Sequence, residues 1–400
     1  VFPPGQHGYQ ILWEYWAPEI WIFVVALMIS LLATPLFRWV AVRQGICDRP
    51  DNAVKIHRAP IPYLGGCAIW LAWTAPILIY TLAFRGENEW RTLVALLAGG
   101  GVAFVTGLID DLRDLKPWMK LLGQAAAAAV LLMGGIRWLG YPQFDVSSPF
   151  FLSPDAWAVL ALSIVMLFLV VIGATNATNL LDGLDGLCSG VTAIISVGFL
   201  LLSTALVAWA EYGKTYGAHG YVHSGIIMVV ALALAGAVIG FLPYNFNPAR
   251  IFMGDAGSVF IGYVLAAMII MFAGTFGVLK WFAGALFIFG VPIFDTGVAV
   301  IRRLLNGRRI MMPDRSHLYN QLVDRLGLSV RAAVGVLYGL SVLFGAAGLL
   351  VLYLPGRYAI LIYLVVGAVF LVIVWRLGFL KMTEEEKAAA DRYLETRRRL

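Results

Sequence analysis

The sequence predicts an all-α, polytopic membrane protein, and three observations carry that prediction. Hydrophobic residues make up 61% of the 400 positions and charged residues only 13%, with a mean hydropathy of +0.84, which excludes an ordinary soluble domain of this length. Apolar runs long enough to cross a hydrocarbon core of about 30 Å recur along the whole chain. The charged residues that remain gather in short clusters at the ends of those runs.

Eleven runs qualify as spans: 20–41, 64–83, 92–109, 119–135, 156–175, 187–209, 224–242, 258–276, 281–301, 332–354 and 358–377. Trp13, Tyr15, Trp16 and Trp21 form an aromatic belt at the first crossing, as expected at a water–lipid boundary. No basic n-region or cleavage site precedes it, so no signal peptide is expected and the first span does the targeting. The loop 43–66 mixes prolines, charges and a glycine pair. Pro60 and Pro62 exclude a helix there, and an irregular, closely packed segment is expected.

Further along, the glycines at 99–101 in the third span, and Gly236 and Gly240 in the seventh, have small-residue spacings that let helices approach. Packing within the chain is their expected use, with a homodimer as the alternative. Segment 136–157 reads as a plain surface connection, and His219 and His223 as outer-loop residues, because Gly217 and Gly220 weaken the helix that would align them. Segment 302–331 is rich in arginine and should hold a short helix or two around Pro313. Beyond 379, acidic residues come first and basic residues last, the order that suits a helix macrodipole. Residues 1–379 are thus expected to form one integral-membrane catalytic domain, and 380–400 a cytoplasmic helical tail.

An odd number of spans puts the termini on opposite sides, and the positive-inside rule selects the orientation. If 38–62, 110–120, 176–186, 243–258, 301–331 and 376–400 face the cytoplasm, only Arg85, Arg91, Arg137, Lys214, Lys280 and Arg357 remain on the other face. The amino terminus is therefore expected outside and the carboxyl terminus inside, in the inner (plasma) membrane. The net charge of +6 reflects this bias and suits anionic lipid head groups; no basic stripe with interleaved aromatics suggests nucleic acid. Cys47, Cys67 and Cys188 lack metal or disulfide spacing and are expected to be reduced.

Ionisable groups next to lipid are costly, so their placement points to function. Asp110 and Asp111 close the third span. Asn176, Asn179, Asp182 and Asp185 follow one another at intervals of three, a spacing that would keep four polar groups on one side of a helix. Asp255 sits between glycines just before the eighth span, where it suits a hard cation such as Mg2+, or caps the helix, or does both. Asp295 and Arg302 lie seven apart, on one face of the ninth span, and with Arg303, Arg308, Arg309 and Arg315 would grip phosphate. His317 falls in a polar loop, where a catalytic or phosphate-binding role outweighs a surface one.

Together, the segments DDLRDL, NATNLLDGLDGL, FNPARIFMGDAGS and FDTxxxxxRR followed by PDRSHL resemble the polyprenyl-phosphate N-acetylhexosamine-1-phosphate transferases over about residues 43–325. Lys55, His57, Pro60, Pro62, Gly65 and Gly66 look like that family's first inner loop. The resemblance implies transfer of a sugar 1-phosphate from a UDP-N-acetylhexosamine to a polyprenyl phosphate, with Mg2+, or else Mn2+, as cofactor. By similarity, Asp255 and Asn179 would hold the metal and Asn245 and Phe252 would meet the uracil. Asp110, Asp111, Asp182 and Asp185 match the family's essential carboxylates, Lys120 its downstream lysine, and His317 the first position of its histidine motif. Asn176, Lys55, His57, Asp295, Arg302 and Arg303 complete the expected substrate-binding set. Tyr319 and Asn320 stand where many relatives have further histidines. UDP-GlcNAc is the first choice of donor, with UDP-MurNAc-pentapeptide or UDP-GalNAc as alternatives. A secondary transporter is the rival of another class, though charges at span ends, without a detectable repeat, fit it poorly.

Overall fold

The computed structural model describes residues 16–48, 60–83, 89–137, 154–215, 224–273, 278–307 and 317–382. Lys55, His57, Arg308, Arg309, Arg315, His219, His223 and the tail beyond 382 lie outside the described residues.

Helices dominate, and all eleven expected spans correspond to helices. Among the described residues, nine are long and apolar enough to cross a bilayer: α1 (Ile20–Gln44), α2 (Gly65–Ala83), α3 (Glu89–Arg113), α5 (Pro154–Leu181), α6 (Leu187–Thr215), α7 (Ser224–Asn245), α8 (Gly254–Ala273), α12 (Val330–Leu350) and α13 (Gly356–Arg376). The fourth expected span, α4 (Pro117–Met133), has 17 residues and a length of about 25 Å. The ninth is bent by 73° between α9 (Val278–Ile288) and α10 (Gly290–Leu305). A short α11 (Leu318–Asp324) follows, matching the helix expected in the arginine-rich segment. The first loop is more regular than expected. β1 (Cys47–Asp48) pairs antiparallel with β2 (Ile61–Pro62), and the chain then continues pairing with 252–253: Phe252 N donates to Pro62 O at 2.8 Å, and Gly65 N to Phe252 O at 2.9 Å.

The axis of the bundle is α8, whose residues from Ala256 to Ala273 are all buried. Its sequence is almost wholly apolar or small, so it can be enclosed by protein on all sides. Tyr263 is the polar exception, and its hydroxyl donates to the carbonyls of Ala95 and Leu96 on α3. Missing side chains permit the close approaches. A Cβ at Gly107 of α3 would lie 2.3 Å from Asp255 O, and one at Gly66 of α2 the same distance from Gly257 N. The pair Gly236 and Gly240 faces the backbone of Phe23 and Leu27 on α1, where Ser30 Oγ donates to Ala237 O at 2.6 Å. That spacing therefore serves packing within the chain, as expected.

Helix α10 buries Asp295, Val298, Ala299, Arg302 and Arg303, one stripe at helical spacing. The shared face expected for Asp295 and Arg302 is present, but it points inward. Arg302 and Arg303 are both buried, at 1% and 6% exposure. The Arg302 guanidinium donates to Lys381 O at 3.4 Å, and Arg325 donates to Gly378 O at 2.5 Å and also to Lys381 O. Asn306 Nδ2 reaches Leu380 O at 3.0 Å. These groups grip the turn after α13, because peptide oxygens near lipid need donors.

Candidate active site

The acidic clusters, scattered over more than 140 residues of sequence, meet at one end of the bundle. Three helices deliver oxygens to one cation. Lys120 Nζ, on the first turn of α4, donates to Asp110 Oδ2 at 2.8 Å, to Asn179 Oδ1 at 3.4 Å and to Asp255 Oδ2. Asp110 is at the end of α3, Asn179 near the end of α5, and Asp255 in the first turn of α8. Asn179 also spans the gap by donating to Asp255 Oδ1 at 2.7 Å and to Ser258 Oγ at 2.9 Å.

A tight turn makes the α3–α4 part possible. Asp114 adopts φ +50°, a left-handed conformation that aspartate tolerates better than most residues. Leu115 N then donates to Asp110 Oδ1 at 2.8 Å, so both carboxylate oxygens of Asp110 have partners.

Asp111 does something different. Its Oδ1 accepts from Asp255 N at 2.8 Å and its Oδ2 from Ala256 N at 2.9 Å. The cap of α8 thus comes from another helix, and Asp255 itself is not the cap. Negative charge at a helix N-terminus is favourable, and capping from α3 leaves the Asp255 carboxylate free to face Lys120 and Asn179. Gly254, at φ +68°, lies against the Asp111 carboxylate, 2.6 Å from where a Cβ would be. Only glycine fits both the conformation and the space.

The four-residue polar face expected at 176–185 is corrected in part. Helix α5 stops at Leu181, so the helical spacing holds for Asn176 and Asn179, whereas Asp182 and Asp185 sit in the turn before α6. One turn deeper than Asn179, Asn176 Nδ2 donates to Gln124 Oε1 at 2.8 Å. Asp185 Oδ2 accepts from Asn247 Nδ2 and Ala249 N, both at 2.9 Å, and thereby holds the loop between α7 and α8. Asp182 keeps a partial opening to water but is hemmed in. Burial, then the charges of Asp255, Asp111 and Asp185, push its carboxyl up to about 8.

Asn245 and Phe252 have structural settings of their own. Asn245 is buried; its Oδ1 accepts from Gly186 N at 3.2 Å and Ser189 Oγ at 2.9 Å, and its Nδ2 donates to Ile251 O at 3.2 Å. It braces the strand-like segment that carries Phe252, a half-buried ring. His317 and Asp295 form a second pair, 2.7 Å apart, and Leu318 N donates to the other Asp295 oxygen at 2.6 Å. Both residues are buried, at 3% and 1% exposure, with His317 just before α11, so the less favoured surface reading of this histidine does not hold. Sequence reasoning missed Gln124 and Ser258, which lie one turn beyond Lys120 and Asp255 on their helices. The only signal for them was that helical offset.

The sequence is similar to those of known proteins. Residues 93–273 match the family described as glycosyl transferase family 4. The chain is similar to the probable undecaprenyl-phosphate N-acetylglucosaminyl 1-phosphate transferase of Bacillus subtilis, with 34% identity over 332 residues, 82% of this chain and 83% of that one. It is similar to the decaprenyl-phosphate N-acetylglucosaminephosphotransferase of Mycobacterium tuberculosis, at 34% over 345 residues, covering 81% and 80%. A phospho-N-acetylmuramoyl-pentapeptide-transferase of Cutibacterium acnes matches at 30% over 350 residues, covering 82% and 96%.

Proposed function

The chain belongs to glycosyl transferase family 4, the polyprenyl-phosphate N-acetylhexosamine-1-phosphate transferases, and from that premise we propose its reaction. It moves N-acetylglucosamine 1-phosphate from UDP-GlcNAc to a polyprenyl phosphate such as undecaprenyl phosphate. UMP leaves, and the product is a lipid-linked diphosphate sugar, the first membrane intermediate of an envelope glycan. The observation that carries this reading is the meeting of Asp110, Asn179 and Asp255 on one cation at the ends of lipid-crossing helices. Such a site can bring a water-borne nucleotide sugar to a phosphate anchored in the bilayer.

Both substrates are anions, so the barrier is largely electrostatic. The donors converging here are oxygens only, and a cation already occupies their focus. An all-oxygen set of this kind suits Mg2+, which takes one or two protein oxygens and fills its other positions with water and phosphate. Asp255 and Asn179 would hold Mg2+, or Mn2+, which would neutralise the diphosphate of the donor.

A phosphate monoester is already largely ionised at neutral pH, so the acceptor needs orientation more than deprotonation. Its oxygen attacks the β-phosphorus, and the bond from that phosphorus to the bridging oxygen breaks, with the electron pair leaving on UMP. Lys120 supplies a fixed positive charge beside this exchange, and Asp110 holds Lys120 in place. Phe252 offers a ring on which uracil stacks, on a segment that Asn245 keeps rigid. The lysine and arginine bias supports a cytoplasmic face for this end of the bundle.

The test is purified protein with Mg2+, undecaprenyl phosphate and each of UDP-GlcNAc, UDP-GalNAc and UDP-MurNAc-pentapeptide, read by UMP release. Release with UDP-GlcNAc is expected; release with neither it nor the others, or with UDP-MurNAc-pentapeptide alone, overturns the reading. Asp255→Ala should cut turnover by at least about 100-fold, whereas Glu89→Gln, at the far end of α3, should leave it unchanged.

A further inference from the structure

Tyr319 occupies a position where the family resemblance leads one to expect a histidine, and the structure gives it definite work. Its hydroxyl donates to Leu180 O at 3.1 Å. Its ring stacks on His317, with centroids 5.5 Å apart and planes 9° from parallel. It also covers Gly183, where a Cβ would lie 2.0 Å from the tyrosine oxygen. Tyr319 is 6% exposed and His317 is tied to Asp295. One side chain thus connects the buried Asp295–His317 pair to the turn at 180–183, which carries Asp182.

We infer that Tyr319 is a positioning residue, a strut that fixes Asp182 in the acidic pocket by holding the turn around it from the α11 side. The turn needs such support. Asp182 lies just past the end of α5, where the helix ladder has stopped and its backbone N–H donates to Asn179 O at 3.3 Å. A residue beyond a helix end is fixed as far as its backbone is held from elsewhere. Gly183 is required because any larger residue would displace the ring that does the holding.

The inference rests on the transferase reading for its kinetic test but has a second test independent of it. With UDP-GlcNAc and undecaprenyl phosphate, Tyr319→Phe should lower kcat about 5- to 10-fold, the rate equivalent of one hydrogen bond, with KM for the donor unchanged and the melting temperature nearly so. Gly183→Ala should do the same, and the double variant should lose no more than the worse single one, because both act on one contact. Unchanged kcat in Tyr319→Phe, or a loss that follows a lowered melting temperature, overturns the strut. In an Asp182→Cys background, adding Tyr319→Phe should speed labelling by N-ethylmaleimide by about 5- to 10-fold, on the same one-bond reckoning. Equal labelling rates overturn the strut even if wild-type protein turns over no donor, a silence that would count against the transferase reading alone.

Discussion

Asp182 is an acid whose folded environment favours its protonated form. Its carboxyl is pushed from 3.8 up to about 8 by burial and by Asp255, Asp111 and Asp185, so between those values the folded state binds more protons than the unfolded one. Stability then falls as pH rises through this window. Asp182→Asn removes the penalty: its melting temperature should exceed that of the wild type by at least about 2–4 °C at pH 8, with the gain vanishing near pH 4, while turnover is lost. Equal melting curves at pH 8 would mean that the turn relaxes and rehydrates the carboxylate. At this scale, the sequence made the acidic residues legible because charges next to lipid are rare. It could not reveal their partners: Asp111 caps a helix that begins 143 residues later, and His317 pairs with Asp295, 22 residues earlier in the chain.

Composition marks where helices run but not where they turn. All eleven apolar runs became helices, yet 281–301 reads as one straight span because hydropathy carries no direction. The break falls at Phe289, just before Gly290, whose Cβ would lie 2.9 Å from Phe344. Nor does composition show that Arg302 and Arg303 lie inside, where Arg302 donates to a carbonyl of the turn after α13. Glycines allow a sharp test within one helix. Gly107→Ala drives a methyl group into the Asp255 backbone, whereas Gly101 has nothing within 4 Å of its would-be Cβ. Gly107→Ala should therefore lower the melting temperature and abolish UMP release together. Gly101→Ala should keep full activity and gain up to about 1 kcal/mol from helix propensity. Comparable losses in both variants would show that α3 needs all its glycines for some reason other than contact with α8.

The molecule as a whole places its chemistry by parity. With the fourth run short and the ninth bent, α3 and α5 still end, and α4 and α8 begin, at one end of the bundle, where Asp110, Lys120, Asn179 and Asp255 meet. Were one of the helices α4 to α7 not to run from end to end, these four side chains could not meet, so the hydrogen bonds support the alternation of the helices between 110 and 255. The positive-inside bias predicts that this end faces the cytoplasm, and that prediction can be measured. Lys116, exposed in the α3–α4 turn, lies beside the site, and Tyr353, 60% exposed after α12, lies at the far end. Cys67 and Cys188 are buried, so Cys47→Ser leaves a quiet background. In that background a membrane-impermeant maleimide should label Lys116→Cys in inverted vesicles only and Tyr353→Cys in right-side-out vesicles only. The reverse pattern would put the acidic site outside, away from any cytoplasmic nucleotide sugar, and the proposed donor would fail with it. Labelling of both from one side would instead break the parity, and with it the claim that these helices cross the bilayer in the order their sequence implies.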